Sequence, residues 1–113
     1  MDPEVAAICR AAAYGFAEVG AVVEDAHPDL SEAHDTFQVL RAMSFASGHA
    51  ENLRLHRDKL KPEIVWNIER GLEYTMADVV RAENQRSAML KRMNAFFDRY
   101  DLLLCPATIT AAF

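Results

Sequence analysis

Apolar residues recur every three or four positions along most of this chain, which is the spacing of one face of an α-helix. Asp2-Pro3-Glu4 opens the first such stretch: Asp can cap, Pro suits the first helical position, and Glu suits the positive end. Val5, Ile8, Cys9, Ala12, Ala13 and Phe16 then predict a helix over 3–19. Gly20 is a natural stop because it readily adopts the left-handed conformation. Ala21-Val22-Val23-Glu24 is read as a short strand, 21–25, left through the turn His27-Pro28-Asp29.

Ser31 is the expected cap of the next helix, 32–57, with Val39, Met43, Ala46, Ala50 and Leu53 on its inner stripe. Phe37 and Leu40 widen that stripe, so this helix is expected to be covered on more than one side. Gly48 is expected to mark a bend or a close helix contact. Lys61-Pro62 interrupts the helix, since the residue before a proline is pushed out of the α region. A shorter helix follows over 63–72, with Ile64, Val65, Ile68 and Leu72 inward. Thr75-Met76-Ala77-Asp78 resembles a capping box with Asp in the acidic position, and opens a helix over 76–100. Its apolar side is drawn from Val79, Val80, Met89, Leu90, Met93, Phe96, Phe97 and Tyr100. Leu102-Leu103-Leu104-Cys105 before Pro106 fits a strand, 101–105, buried on both faces. The fold class expected is therefore mostly α with two short strands. Two strands with unpaired edges make a poor sheet, so the pattern describes part of something larger.

The totals narrow the function classes. Half of the chain is apolar (51%), enough for a core, yet 113 residues leave much surface exposed unless a partner covers it. Seventeen acidic residues oppose twelve basic ones, net −5, with the signs mixed along the helices. Phosphate binding needs a concentrated excess of Lys and Arg, so neither nucleic acid nor an anionic membrane is expected as a partner. Cys9 and Cys105 belong to no CxxC pair and are read as two small hydrophobes of a reducing compartment, although a bridge between them stays open. The first residues carry no basic-then-apolar leader, and no stretch has the length of a membrane span. A cytoplasmic location is expected.

Candidate chemistry is sparse. His49 and His56 are two helical turns apart, about 10 Å along the axis at the usual rise, too far to ligate one ion. His27 and His34 flank a turn without matching spacing, so no metal site and no cofactor are expected. Ser44 and Ser47 sit one turn apart inside a helix with no GxSxG elbow around either, and Lys59, Lys61 and Lys91 sit in charged company. Pairs such as Glu69 and Glu73, or Asp98 and Asp101, lie among basic neighbours as surface ion pairs do. Trp66, the only tryptophan, is read as packing, as are Met89 and Met93. The four glycines are scattered singly, so no phosphate loop is present. No catalytic residue is assigned, and no substrate-binding residue can be named.

Two segments carry a family likeness. Asp2-Pro3-Glu4-Val5-Ala6-Ala7, continuing to Phe16-Ala17-Glu18-Val19-Gly20-Ala21-Val22-Val23-Glu24, resembles the helix-then-strand unit of amidase-signature hydrolases. Phe96-Phe97-Asp98-Arg99-Tyr100-Asp101-Leu102-Leu103-Leu104-Cys105-Pro106-Ala107-Thr108 is similar to that family's "FF..YD.LL.PT" stretch. Cys105 stands where the family often has Thr, and Ala107 intervenes before Thr108. The resemblance implies a piece of an α/β fold, a mixed sheet covered by helices, in which residues 106–113 run toward an acyl pocket. It also implies a Ser, a second Ser on a cis peptide and a Lys in a glycine- and serine-rich region that precedes the matching segment. That region has no counterpart here, so the chain is expected to be inactive alone. On this reading it supplies scaffold and pocket wall to amide hydrolysis, with the remainder of an amidase or another copy as partner. A free-standing helical interaction or dimerisation module is the alternative.

Overall fold

The computed structural model describes residues 1–111; the last two positions of the 106–113 segment lie outside the described residues. Four α-helices carry the structure: α1 (Pro3–Gly15), α2 (Ala33–His56), α3 (Pro62–Glu73) and α4 (Met76–Phe97). A 3₁₀ turn over Phe16–Val19 follows α1 and another over Arg57–Lys59 follows α2. The chain divides into two compact units, one made of Met1–Pro28 with Phe96–Phe113, the other of Asp29–Ala95.

The second unit holds the core. Val39, Ala42 and Ala46 of α2, Ile68 of α3 and Ala82 of α4 are buried, with Thr36 and Asn67 beside them. Small residues on α2 let α3 approach closely. Gly71 lies where a Cβ would come within 2.6 Å of the Ala42 carbonyl carbon and 2.8 Å of the Ala46 Cβ, so only hydrogen fits. The close contact therefore falls at Gly71. Gly48, expected to mark one, faces open space. Leu72, expected inward, is 60% exposed because Gly71 and Ile68 occupy the face toward α2. Phe37 likewise points outward at 56% exposure, while Leu40 is half-buried.

Local signals set the helix starts. The Glu4 amide donates to Asp2 Oδ1 (2.8 Å), which caps α1, and Pro3 takes the first helical position. The Thr75 N–H and hydroxyl donate to Asp78 Oδ2 (2.9 and 2.6 Å) while the Asp78 N–H donates to Thr75 Oγ1 (3.2 Å). That is a reciprocal capping box, completed by the shorter acid. Pro62 opens α3 after an extended Lys61. Gly20 closes the first 3₁₀ turn with φ 93°, the left-handed geometry a side chain resists. Ser31 does not cap α2. Its N–H donates to Asp29 Oδ1 (3.0 Å), and Glu32 holds the cap position, its side chain engaged by Arg92 and making no capping bond.

The expected strands 21–25 and 101–105 do not form, and no strand or sheet occurs among the described residues. This overturns the α/β expectation and the mixed sheet with it: the described chain is all-α. A strand exists only when a neighbour pairs with its N–H and C=O groups, and neither run has one. Val22 is 90% exposed and Leu102 71%, where a strand of a covered sheet would be dry.

Side chains and one backbone bond tie the first unit together. The Asp2 N–H donates to the Ile109 carbonyl (2.8 Å). Arg10 bonds Asp25 (2.7 Å), and the Tyr100 hydroxyl donates to Glu24 (2.8 Å), which also faces Arg99. The Phe96 ring stacks on Tyr100 (4.5 Å between centroids) and meets Phe97 edge-on. In this unit Val5, Cys9, Ala13 and Leu103 are only half-buried, and Ile8, Val19 and Ile109 are exposed. No helix among the described residues is long and apolar enough to cross a membrane.

Candidate functional site

A concavity lies in the second unit, where α2, α3 and the start of α4 converge. It has a volume of about 290 Å³ and is lined by Asp35, Gln38 and Val39 of α2, Arg70 and Tyr74 beside α3, and Arg81 and Gln85 of α4. Helical spacing places these groups. Asp35, Gln38 and Val39 follow one another around the first turns of α2, while Arg70 and Tyr74 are one turn apart. The Arg70 guanidinium lies over the Tyr74 ring (5.0 Å) and donates to Glu73 (3.0 Å). Its pKa is raised, first by the Glu73 hydrogen bond and then by Tyr74. Arg81 donates to Asp78 Oδ1 (2.8 Å). Asp78 is held down to about 2, first by its bonds from Thr75 and then by Arg81. The Thr36 hydroxyl donates to Gln85 Oε1 (3.2 Å), which leaves the Gln85 amide hydrogens for other partners.

This lining can hydrogen-bond a polar molecule. No Ser, Cys, His or Lys lines it, and its one hydroxyl and one carboxylate are those of Tyr74 and Asp35. A second, more open groove of about 300 Å³ runs along α3 beside Trp66, Glu69, Arg70 and Glu73. Trp66 is exposed and not packed as expected, and Glu69 there is engaged by Arg57 (2.5 Å).

The residues considered for chemistry are not brought together. Ser44 and Ser47 are exposed on α2, and among the described residues neither hydroxyl bonds a His or a Lys. His49 meets the Phe45 ring (5.9 Å) and Asn52 (3.5 Å), while His56 ends α2. The His27 Nδ1–H donates to the Pro28 carbonyl (3.1 Å). No group of three or more His, Cys, Asp or Glu side chains among the described residues could hold a metal ion. Cys9 and Cys105 are both free thiols. Glu73 bonds Arg70 rather than Glu69, as the surface-pair reading of that stretch anticipates. The cleft itself was not legible in sequence. Its lining comes from three helices, and only the Arg70–Tyr74 spacing is local enough to notice.

Compared with known proteins, the chain is 32% identical to an acylamidase from Rhodococcus erythropolis over 118 aligned positions. The alignment takes in all of this chain and 24% of that enzyme, so the chain spans about a quarter of its relative's length. The similarity supports an amidase-like relationship. No protein-family model matches the chain, and no solved structure matches it.

Proposed function

We propose that this chain is a non-catalytic segment of an amidase-like hydrolase, supplying helical scaffold and part of the wall of the substrate passage. Hydrolysis of a carboxylic amide to acid and ammonia or amine would then need the polypeptide that carries the nucleophile, and the rest of such a polypeptide is the natural partner. The observation that carries this reading is the alignment of the whole chain with one quarter of an acylamidase. Two features are in keeping with it. The first unit leaves its apolar side chains half-buried or exposed, which extra polypeptide would cover. The cleft beside Arg70, Arg81 and Gln85 offers hydrogen bonds and has no Ser, Cys, His or Lys in its lining, as suits a passage wall.

The test is an exchange. The stretch of the Rhodococcus acylamidase that aligns with residues 1–113 is replaced by this chain, and amide hydrolysis is followed in the purified chimera. Measurable turnover is expected, because the exchanged part carries no reacting group. A soluble chimera with the parent's far-ultraviolet spectrum and no turnover would count against the scaffold role.

A further inference from the structure

The side of α2 that faces away from the core carries a stripe with a particular order. Phe37, Arg41, Ser44, Gly48, Glu51 and Leu55 follow at steps of four, three, four, three and four residues, and all six are exposed. On a helix of 3.6 residues per turn this spacing keeps them on one face, opposite Val39, Ala42 and Ala46 of the core. Read from either end, the stripe runs apolar, charged, small, small, charged, apolar, and the two charges have opposite sign.

We propose that this stripe pairs antiparallel with the same stripe of a second copy of the chain, about a twofold axis at Ala46. A twofold contact must be self-complementary, with each residue meeting its mirror position. About that centre Phe37 meets Leu55 of the other copy, Arg41 meets Glu51, and Ser44 meets Gly48. Apolar ends therefore face apolar ends, opposite charges face each other, and the smallest residues meet where the helix axes come closest. A Cβ added at Gly48 would touch nothing within 4 Å in the single chain, so that space is open to a partner helix. The alternating three and four spacing suits a shallow crossing of about 20°.

Arg41 is what singles this face out. Eight of the nine arginines form an ion pair with a carboxylate among the described residues, and Arg41 does not. Its guanidinium lies over the rings of both Phe37 (5.7 Å) and Phe45 (5.5 Å), which orders it and leaves its N–H groups for a carboxylate. Glu51 has only a long, exposed contact with Arg54 (3.4 Å), which costs little to share. The stripe spans about 27 Å at the helical rise, and a single helix pair falls at or below the low end of specific interfaces, about 1,200 Å². The dimer is accordingly weak and reversible. This inference stands apart from the amidase-like reading and rests on α2 alone.

Sedimentation of the whole chain across a concentration series tests it. A monomer–dimer equilibrium is expected. Arg41→Glu and Glu51→Arg, each of which sets like charges face to face, are expected to weaken the dimer about tenfold. The double exchange R41E/E51R is expected to restore it. Both side chains are solvent-exposed, and unchanged far-ultraviolet spectra verify that the monomer fold is kept. A chain that stays monomeric throughout overturns the proposal. So does a dimer indifferent to the single reversals, or a double exchange as weak as either single one.

Discussion

Gly71 of α3 sits directly against the backbone of Ala42 of α2, so closely that a Cβ there would lie 2.6 Å from the Ala42 carbonyl carbon. The atom in the way is main chain held inside a helix, and it cannot swing aside as a flexible side chain would. Gly71→Ala is therefore expected to destabilise the second unit by about 2 kcal/mol, even after the gain in helix propensity. Gly48→Ala, with open space around it, is expected to stabilise by up to about 1 kcal/mol. Urea unfolding of both variants at dilute concentration checks the pair.

Asn67 is buried, and its Nδ2 donates to the Glu63 carbonyl (2.7 Å) while its Oδ1 has no partner. Asn67→Asp removes the donor and places a carboxylate beside that carbonyl. A loss of about 3–5 kcal/mol is expected at neutral pH, the cost of an uncompensated buried charge. Burial raises the new acid's folded pKa above its unfolded value, so the loss should shrink as pH falls through the folded value. Asn67→Leu keeps the volume without the orphan oxygen and is expected to be near neutral. Thermal melts at two pH values separate the variants.

The capping box at α4 predicts an acid response. Asp78 has a folded pKa of about 2 against 3.8, first because Thr75 donates to it and then because Arg81 does. A depressed carboxylate contributes stability that is present above its unfolded pKa and lost as pH falls through the folded one. Stability should therefore drop between about pH 4 and pH 2, and Asp78→Asn should flatten that drop. Thr75→Ala, which removes the hydroxyl from both of its bonds, is expected to cost about 1 kcal/mol at neutral pH. Denaturant titrations across that pH range give the comparison.

The features legible in sequence are those that a few neighbouring residues decide. Asp2 before Pro3, Thr75 three residues before Asp78, Gly20 after a helical run and Lys61 before Pro62 all act where they were expected. Partner-dependent features were not legible. Leu102-Leu103-Leu104-Cys105 has the composition of a buried strand, but composition says what a ladder would accept, not whether one is present. The direction of Leu72 depended on Gly71 taking the inward place, and that depended on the small side chains of another helix. The cleft beside Arg70 and Arg81 needs three helices, so no window of sequence contains it.

The decisive measurement is a turnover assay on the purified chain by itself, with simple aliphatic and aryl amides as substrates. No hydrolysis above background is expected, since among the described residues neither Ser44 nor Ser47 bonds a His or a Lys, and no Ser, Cys, His or Lys lines the cleft. Turnover that survives repurification and disappears in Ser44→Ala or Ser47→Ala would contradict it.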